Sequence, residues 1–180
     1  LYDEKDLGKL KVKAAKKKLV SINSKTKISI HNFKLDKKKF IKIVKKYDYI
    51  IDGSDNFLTR KISNLVCVKL KKPLVSGAIS QWEGQISFFN ETKDSACYSC
   101  IFPVEPVDGL APNCAEGGVM GALPGIVGSV MASEVIKKIT GAGENLTNKL
   151  LIFNALNNEF SNINIQKNLN CEICKERHEA

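Results

Sequence analysis

Four of the six cysteines form two Cys-x-x-Cys pairs, a spacing that can chelate one side of a tetrahedral metal ion. The pairs are Cys97 with Cys100 and Cys171 with Cys174, and 70 residues separate them. Four thiolates close the coordination of a structural zinc and leave no open position for catalysis. The alternatives are reduced thiols or a redox pair, but neither pair has a thioredoxin-like setting. The spacing therefore predicts a structural zinc that staples the C-terminal tail to an earlier loop.

A second candidate for chemistry is the segment Asp52–Asn56, which follows the apolar run Tyr49–Ile51. A short β-branched run that ends in carboxylates is typical of the carboxyl end of a buried parallel strand, where open α/β sheets bind ligands. Asp52 and Asp55 could hold a magnesium ion on nucleotide phosphates, because magnesium favours one or two carboxylates plus phosphate oxygens. The alternative is that both aspartates are ordinary turn and cap residues.

Three other features carry less information. Cys114 lies in a loop just before a helix, where a thiol can become a nucleophile, or it is an incidental loop cysteine. Lys11 begins the first predicted helix and could reach phosphates, but among so many lysines its position alone does not single it out. The run Gly117–Gly125 lacks the preceding strand and the Gly-Lys-Ser/Thr ending of a phosphate loop, so we interpret its glycines as sites of close helix packing.

Predicted strands and helices alternate through the first half of the chain. In order, they are a turn and helix over Asp3–Asn23, a strand over Lys27–Asn32, a helix capped by Asp36, a strand over Asp48–Asp52, a helix over Phe57–Lys72 and a strand over Leu74–Ala78. This alternation predicts a parallel sheet covered by helices. Asn56 is the predicted cap of the third helix, whose N-terminus then faces any ligand of the aspartates.

In the second half of the chain the pattern changes, and it predicts strands that are added antiparallel at one end of the sheet. The strands are Gly84–Asn90 and Lys149–Gln166, the latter turning near 157–158, and a helix over 123–140 lies between them in the sequence. Gly141 and Gly143 supply the stop of that helix. The predicted fold class is α/β and mainly parallel, with helices flanking the sheet and antiparallel C-terminal strands, in one domain over residues 1–180.

Basic residues are concentrated at the start of the chain, whose formal net charge is +9. Residues 1–46 hold 16 lysines against four acidic residues, and the remaining 134 hold 12 basic against 15 acidic residues. These lysines lie on the polar faces of amphipathic helices without interleaved aromatics, which favours a solvated face over a nucleic-acid site. No apolar run approaches the ~20 residues of a membrane span. We therefore expect a cytoplasmic protein with neither a membrane nor a nucleic-acid partner.

Several motifs occur together and in the order of a known family. They are Gly8-x-x-Lys11-Val12, Asp52-Gly53-Ser54-Asp55-Asn56 with Arg60, Pro73-Leu74-Val75-Ser76-Gly77, Trp82-Glu83-Gly84-Gln85, the two cysteine pairs and Cys114-Ala115-Glu116-Gly117-Gly118-Val119. In this combination the chain resembles the ThiF/MoeB/HesA family, the prokaryotic relatives of ubiquitin-activating enzymes, over essentially its whole length. The resemblance implies a Rossmann-like fold, usually homodimeric, with a zinc tetrathiolate.

The resemblance also implies an adenylyltransferase activity. Family members use Mg-ATP to adenylate the C-terminal Gly-Gly carboxylate of a small ubiquitin-like sulfur carrier, whose oxygen attacks the α-phosphate and releases pyrophosphate. By resemblance, Lys11 would neutralise phosphate charge, Asp55 would hold the magnesium and Asn56 would contact the nucleotide. Arg60 would orient the nucleotide or the carrier tail. In members that thiolate the carrier, the cysteine matching Cys114 can link to it covalently, and unchanged sulfur transfer in Cys114→Ser would remove that role.

The family's glycine-rich nucleotide loop, ribose-binding acid and an arginine-bearing segment lie upstream of the motif that begins at Gly8. We therefore expect the chain to correspond to the C-terminal two-thirds of such an enzyme. These 180 residues alone are expected to be inactive and to bind ATP weakly or not at all, so micromolar binding by calorimetry would overturn that expectation. One alternative is a non-catalytic, zinc-stapled module that binds a carrier. Another is a nicotinamide dehydrogenase, which the cysteine pairs disfavour. Molybdopterin, thiamin and tRNA thiolation all remain open as pathways.

Overall fold

The computed structural model describes residues 1–104 and 117–175, in two compact units, Leu1–Leu35 and Asp36–Ala180. The regular elements of the first unit are a 3-10 helix over Glu4–Asp6 and helix α1 over Lys11–Ile22. They confirm the turn and helix predicted for Asp3–Asn23. Within the described ranges, no helix has the length and apolar character that crossing a membrane requires.

The strand predicted over Lys27–Asn32 is wrong. These residues carry no strand assignment and join none of the described ladders. A strand is stable through the hydrogen bonds that it exchanges with a neighbour, and alternation of apolar side chains does not provide that neighbour. Ile28 and Ile30 supplied the alternation, but Ile30 remains 36% exposed. The alternation of apolar residues is therefore present in the sequence, but it does not by itself produce a strand.

The second unit contains the sheet and the helices that cover it. Its elements are helix α2 (Lys37–Val44), strand β1 (Ile50–Asp52), helix α3 (Phe57–Lys69), strands β2 (Leu74–Ser80) and β3 (Glu83–Phe89), helices α4 (Tyr98–Ile101) and α5 (Leu123–Thr140), and strands β4 (Lys149–Asn154) and β5 (Glu159–Asn164). Every element predicted for this part of the chain is present, although several ends differ by a few residues.

Local side-chain and backbone chemistry sets the ends of three helices. The Asp36 carboxylate accepts the Lys39 amide at 2.8 Å and begins α2. The Asn56 side-chain oxygen accepts the Thr59 amide at 2.9 Å and begins α3. Gly141 ends α5 with a φ of +71°, a left-handed conformation that glycine adopts without steric cost. The predicted caps at all three positions are confirmed.

The five strands of the described sheet follow the order β1–β2–β3–β4–β5. β1 pairs with β2 in parallel, with Asp52 opposite Ser76, and the three remaining pairs are antiparallel. The α/β class with antiparallel C-terminal strands is therefore confirmed. Because residues 27–32 form no strand, the parallel part of the described sheet is the β1–β2 pair.

Side chains that alternate along β2 and β3 build separate cores on the two faces of the sheet. On one face, α5 packs against the strands, and the fully buried members of that core include Val75, Ile86, Phe88 and Leu123. On the other face, α3 and α4 contribute to a core that includes Cys67, Leu74, Phe89 and Tyr98. The short loop that follows β1 leads directly into α3, the helix that covers this second face.

Gly84 permits the close approach of β3 to α5. A Cβ at this position would lie 2.5 Å from a methyl carbon of Val127, a stiff β-branched side chain. We expect Gly84→Ala to lower the free energy of unfolding by about 1–3 kcal/mol through overpacking. Gly128→Ala on α5 is the matched control, because a Cβ there meets nothing within 4 Å. The control should be neutral or stabilising by about 0.5–1 kcal/mol, and urea unfolding that ranks the two variants in the opposite order would contradict this packing.

Candidate functional site

The two cysteine pairs converge as the sequence predicts. Each pair is shaped by a tight turn: the Cys100 amide donates to the Cys97 carbonyl at 3.0 Å, and the Cys174 amide donates to the Cys171 carbonyl at 3.2 Å. The four sulfur atoms lie within 4.8 Å of one another. Cys97 Sγ lies 3.7 Å from both Cys100 Sγ and Cys171 Sγ, and Cys100 Sγ lies 3.5 Å from Cys174 Sγ.

These distances fit a tetrahedral tetrathiolate. Zinc–sulfur bonds of about 2.3 Å place the sulfurs of a regular tetrahedron about 3.8 Å apart, close to the separations observed. Three of the four cysteines are buried and Cys100 is half-buried, so the cluster is a closed site. The donor set and its geometry therefore suit a structural zinc, with no side available for a substrate.

Crowding of the thiols perturbs their protonation. The hydrogen bond with Cys100 and burial both raise the pKa of Cys97 well above its ordinary value. Burial, followed by the hydrogen bond with Cys100, raises the pKa of Cys174 to about 12. The hydrogen bond with Cys97 is the main cause that lowers the pKa of Cys100 to about 4. Metal binding requires the thiolate form of cysteine, and a dication among the four sulfurs would favour that form for all of them.

A buried asparagine on α3 supports the first pair. Asn64 is 0% exposed, and its Nδ2 donates to Cys97 Sγ at 3.6 Å and to Ser99 Oγ at 3.1 Å. Its Oδ1 accepts the Tyr98 amide at 3.1 Å and Asn90 Nδ2 at 3.4 Å. Sequence reasoning missed this residue. An asparagine inside an otherwise apolar helical stretch was the available signal.

The loop Asp52–Asn56 lies between the carboxyl end of β1 and the N-terminus of α3. Asp52 is only 7% exposed; its Oδ1 accepts the Ser54 amide at 2.9 Å. Its other carboxylate oxygen and Ser54 Oγ are buried without a hydrogen-bond partner among the residues described. Asp55 is exposed, and its Oδ1 accepts Asn56 Nδ2 at 3.2 Å. Buried oxygens without a partner are uncommon in folded proteins, and at the carboxyl end of a parallel strand a ligand or a water molecule could supply the missing hydrogen bonds.

Arg60 holds this loop from one turn inside α3. Arg60 is 8% exposed, and its Nε and Nη2 donate to the Ser54 carbonyl at 3.1 and 2.7 Å. Its Cζ lies 5.6 Å from the centre of the Phe57 ring. Burial raises the pKa of the Tyr98 phenol, and the nearby Arg60 charge opposes that rise. The arginine thus fixes the backbone that presents Asp55.

The structure brings three of the predicted site residues together. Asp55, Asn56 and Arg60 belong to one loop and one helix turn. Lys11 is exposed at the first position of α1, in the other compact unit. Cys114 lies outside the described residues. The catalytic and nucleotide-binding roles of all five remain predictions.

Solved structures share this fold at low sequence identity. An Escherichia coli MccB crystal structure with ATP has a TM-score of 0.80 and 19% identity, over 97% of this chain and 54% of that one. A crystal structure of PaaA has a TM-score of 0.72 and 18% identity, over 91% of this chain and 58% of that one. At such identities the similarity establishes the fold.

Relatives with higher identity carry names that describe an activity. The sulfur carrier protein adenylyltransferase of Thermus thermophilus is 38% identical over 97% of this chain, which spans 66% of its length. The adenylyltransferase and sulfurtransferase MOCS3 of Culex quinquefasciatus is also 38% identical over 98% of this chain, which spans 40% of that protein. The ThiF family model matches residues 1–173. The chain therefore belongs to the ThiF family.

Proposed function

We propose that the protein containing this chain is an adenylyltransferase that uses Mg-ATP to activate the C-terminal Gly-Gly carboxylate of a ubiquitin-like sulfur carrier. The observation that carries the proposal is the acidic loop Asp52–Asn56, which connects the carboxyl end of β1 to the N-terminus of α3. The names of the relatives from Thermus thermophilus and Culex quinquefasciatus support the same reaction class.

The loop suits phosphate chemistry through position and charge. Magnesium bound to ATP would neutralise phosphate charge near the attacking carboxylate. The exposed Asp55 carboxylate offers oxygen ligands for such an ion, and the first amides of α3 favour negative charge. The Asn56 oxygen accepts the Thr59 amide and its nitrogen donates one N–H to Asp55, so the second N–H is the group proposed to contact the nucleotide. Reactions of this kind depend chiefly on positioning and electrostatic stabilisation.

Arg60 acts on the loop and less directly on the substrate in this proposal. The Nε and Nη2 atoms of Arg60 both donate to the Ser54 carbonyl. Orientation of the nucleotide or carrier tail would therefore come through the loop that Arg60 holds. Lys11 is proposed to neutralise phosphate charge and Cys114 to link covalently to the carrier, as the family resemblance implies.

The cysteine cluster has a structural role in this proposal. Zinc at Cys97, Cys100, Cys171 and Cys174 would join the C-terminal segment to the α4 region, because one pair comes from each. A homodimer in the cytoplasm, acting in a molybdopterin- or thiamin-type sulfur transfer route, completes the proposal by family resemblance.

Mass spectrometry of the carrier tests the proposed reaction. The full natural-length protein is mixed with Mg-ATP and a sulfur carrier that ends in Gly-Gly, and the carrier is examined for the added mass of one AMP. A carrier truncated by its last two glycines is the control and should stay unmodified. Binding of the intact carrier without any AMP adduct would instead support a non-catalytic carrier-binding module.

A further inference from the structure

Helix α3 contacts both candidate sites through residues one turn apart. Arg60 and Asn64 are four positions apart, a spacing that places side chains on the same helix face. Arg60 bonds to the Ser54 carbonyl of the acidic loop. Asn64 bonds to Cys97 Sγ of the cysteine cluster and to the Ser99 hydroxyl. The single helix α3 therefore connects the cysteine cluster to the loop that presents Asp55.

The Asn64 amide has no spare hydrogen-bonding capacity. A side-chain amide has two N–H donors and two acceptor lone pairs, and the contacts of Asn64 with Cys97, Ser99, Tyr98 and Asn90 use all four. The residue is fully buried, so water cannot replace a lost partner. Any displacement of the first cysteine pair therefore costs Asn64 a hydrogen bond or moves α3.

Tyr98 closes the connection on the side of the cysteine pair. Its amide donates to Asn64 Oδ1 at 3.1 Å, and its side chain lines the same small cavity as Arg60, of about 60 Å³. Tyr98 lies between the two cysteines of the first pair. The turn that carries Cys97 and Cys100 is thus held against two successive turns of α3.

We propose that Asn64 is a positioning residue that couples metal binding at the four cysteines to the conformation of the loop Asp52–Asn56. A bound metal would fix the turn between Cys97 and Cys100. Asn64 would then hold α3 against this turn, and Arg60, on the same helix, would hold the Ser54 carbonyl in place. The coupling itself does not need ATP. Its consequence, a zinc-dependent placement of Asp55, rests on the proposed adenylation.

Amide hydrogen exchange measures this coupling directly. The full natural-length protein is compared in its zinc-loaded form and after treatment with a chelator, with the Ser54 amide as the reporter and the Ile86 amide of the central sheet as the internal reference. We expect chelation to speed exchange at Ser54 about tenfold relative to Ile86, within the range of coupling between linked sites. Equal acceleration at both amides, or no acceleration at Ser54, would overturn the proposal.

Three variants separate coupling from general destabilisation. Asn64→Asp keeps the acceptor for Tyr98 but loses the donors to Cys97 and Ser99, so the response of Ser54 to chelation should nearly disappear. Arg60→Lys should remove the same response while the metal content stays unchanged, which keeps the test valid if Asn64→Asp does not fold. Asn145→Ala is the control: Asn145 lies beyond the end of α5 and donates to Glu134, so this variant also loses hydrogen bonds but should keep the full response.

The spectrum of cobalt bound in place of zinc gives a second readout. Asn64→Asp replaces an N–H donor at Cys97 Sγ with a carboxylate oxygen, so the sulfur-to-cobalt charge-transfer band should shift, whereas Asn145→Ala should leave it in place. An unshifted band in Asn64→Asp would contradict the contact. Neither readout uses ATP or a carrier, so an enzyme that fails to adenylate would still report the coupling, and an active enzyme could still lack it.

Discussion

Cys171→Ala is expected to abolish stoichiometric zinc binding and to lower the free energy of unfolding by at least about 4 kcal/mol, the linkage energy of a ligand present at a thousandfold its dissociation constant. Cys171 is buried, and its sulfur lies 3.7 Å from Cys97 Sγ, so alanine leaves three ligands and an open corner. Apart from the sulfur cluster itself, the second cysteine pair packs against Val68 of α3 within the described residues. The variant should therefore release the segment that carries both Cys171 and Cys174.

Cys67→Ala is the matched control for this prediction. Cys67 is as fully buried as Cys97 and Cys174, but it lies in the core formed with Leu74 and Phe89. Its replacement should cost only about 1 kcal/mol, the central value for point substitutions, and leave the zinc content unchanged. Burial, with a smaller contribution from the Asp52 charge, raises the pKa of the Cys67 thiol to about 12. It should therefore resist alkylation at neutral pH in the folded protein.

Metal content by plasma emission and urea unfolding, measured on the same samples of both variants, test whether the four cysteines form a zinc tetrathiolate. Full zinc occupancy in Cys171→Ala, with unfolding like that of Cys67→Ala, would show that the four cysteines do not form a tetrathiolate. The expected result is loss of zinc in the first variant alone.

Asp55→Asn is expected to lower the rate of carrier adenylation by about 10²–10³-fold, the usual effect of removing one preorganised electrostatic contact. The substitution removes the negative charge that would hold magnesium. It keeps a side-chain oxygen that can accept the hydrogen bond from Asn56 Nδ2, which is 3.2 Å long in the wild-type structure. Asp55 is exposed, so the free energy of unfolding should change little. The expected loss is therefore one of activity without a loss of structure.

Asp36→Asn is the control for Asp55→Asn. Asp36 is also an aspartate at the N-terminus of a helix, where it accepts the Lys39 amide, and asparagine serves equally well as a cap. Adenylation should proceed at the wild-type rate in this variant. Unimpaired adenylation in Asp55→Asn, measured under the same magnesium concentration, would remove Asp55 from the proposed machinery.

Features set by local chemistry were the ones that the sequence predicted well. The Cys-x-x-Cys spacing marks metal ligands because each pair needs only one turn, and Asn56 caps α3 through a residue three positions away. The strand predicted at Lys27–Asn32 failed because pairing is not a local property. Apolar alternation at Ile28 and Ile30 cannot supply a neighbouring strand.

Long-range partners were the features that the sequence could not supply. The hydrogen bonds of Asn64 to Cys97 and Ser99 cross more than 30 residues. Glu134, buried in α5, accepts the Leu146 amide and Asn145 Nδ2 from beyond the helix. The direction of the Arg60 side chain was equally hidden, because the motif identifies an arginine without showing that it turns back to its own loop.

The exchange of labelled pyrophosphate into ATP tests the central claim most directly. The full natural-length protein is assayed with magnesium, ATP and a sulfur carrier, because reversible formation of a carrier adenylate is the step that returns pyrophosphate to ATP. The account predicts exchange that requires the intact Gly-Gly terminus and falls about 10²–10³-fold in Asp55→Asn. Exchange that is absent with every Gly-Gly carrier, or that persists without the carrier's terminal glycines, would contradict it.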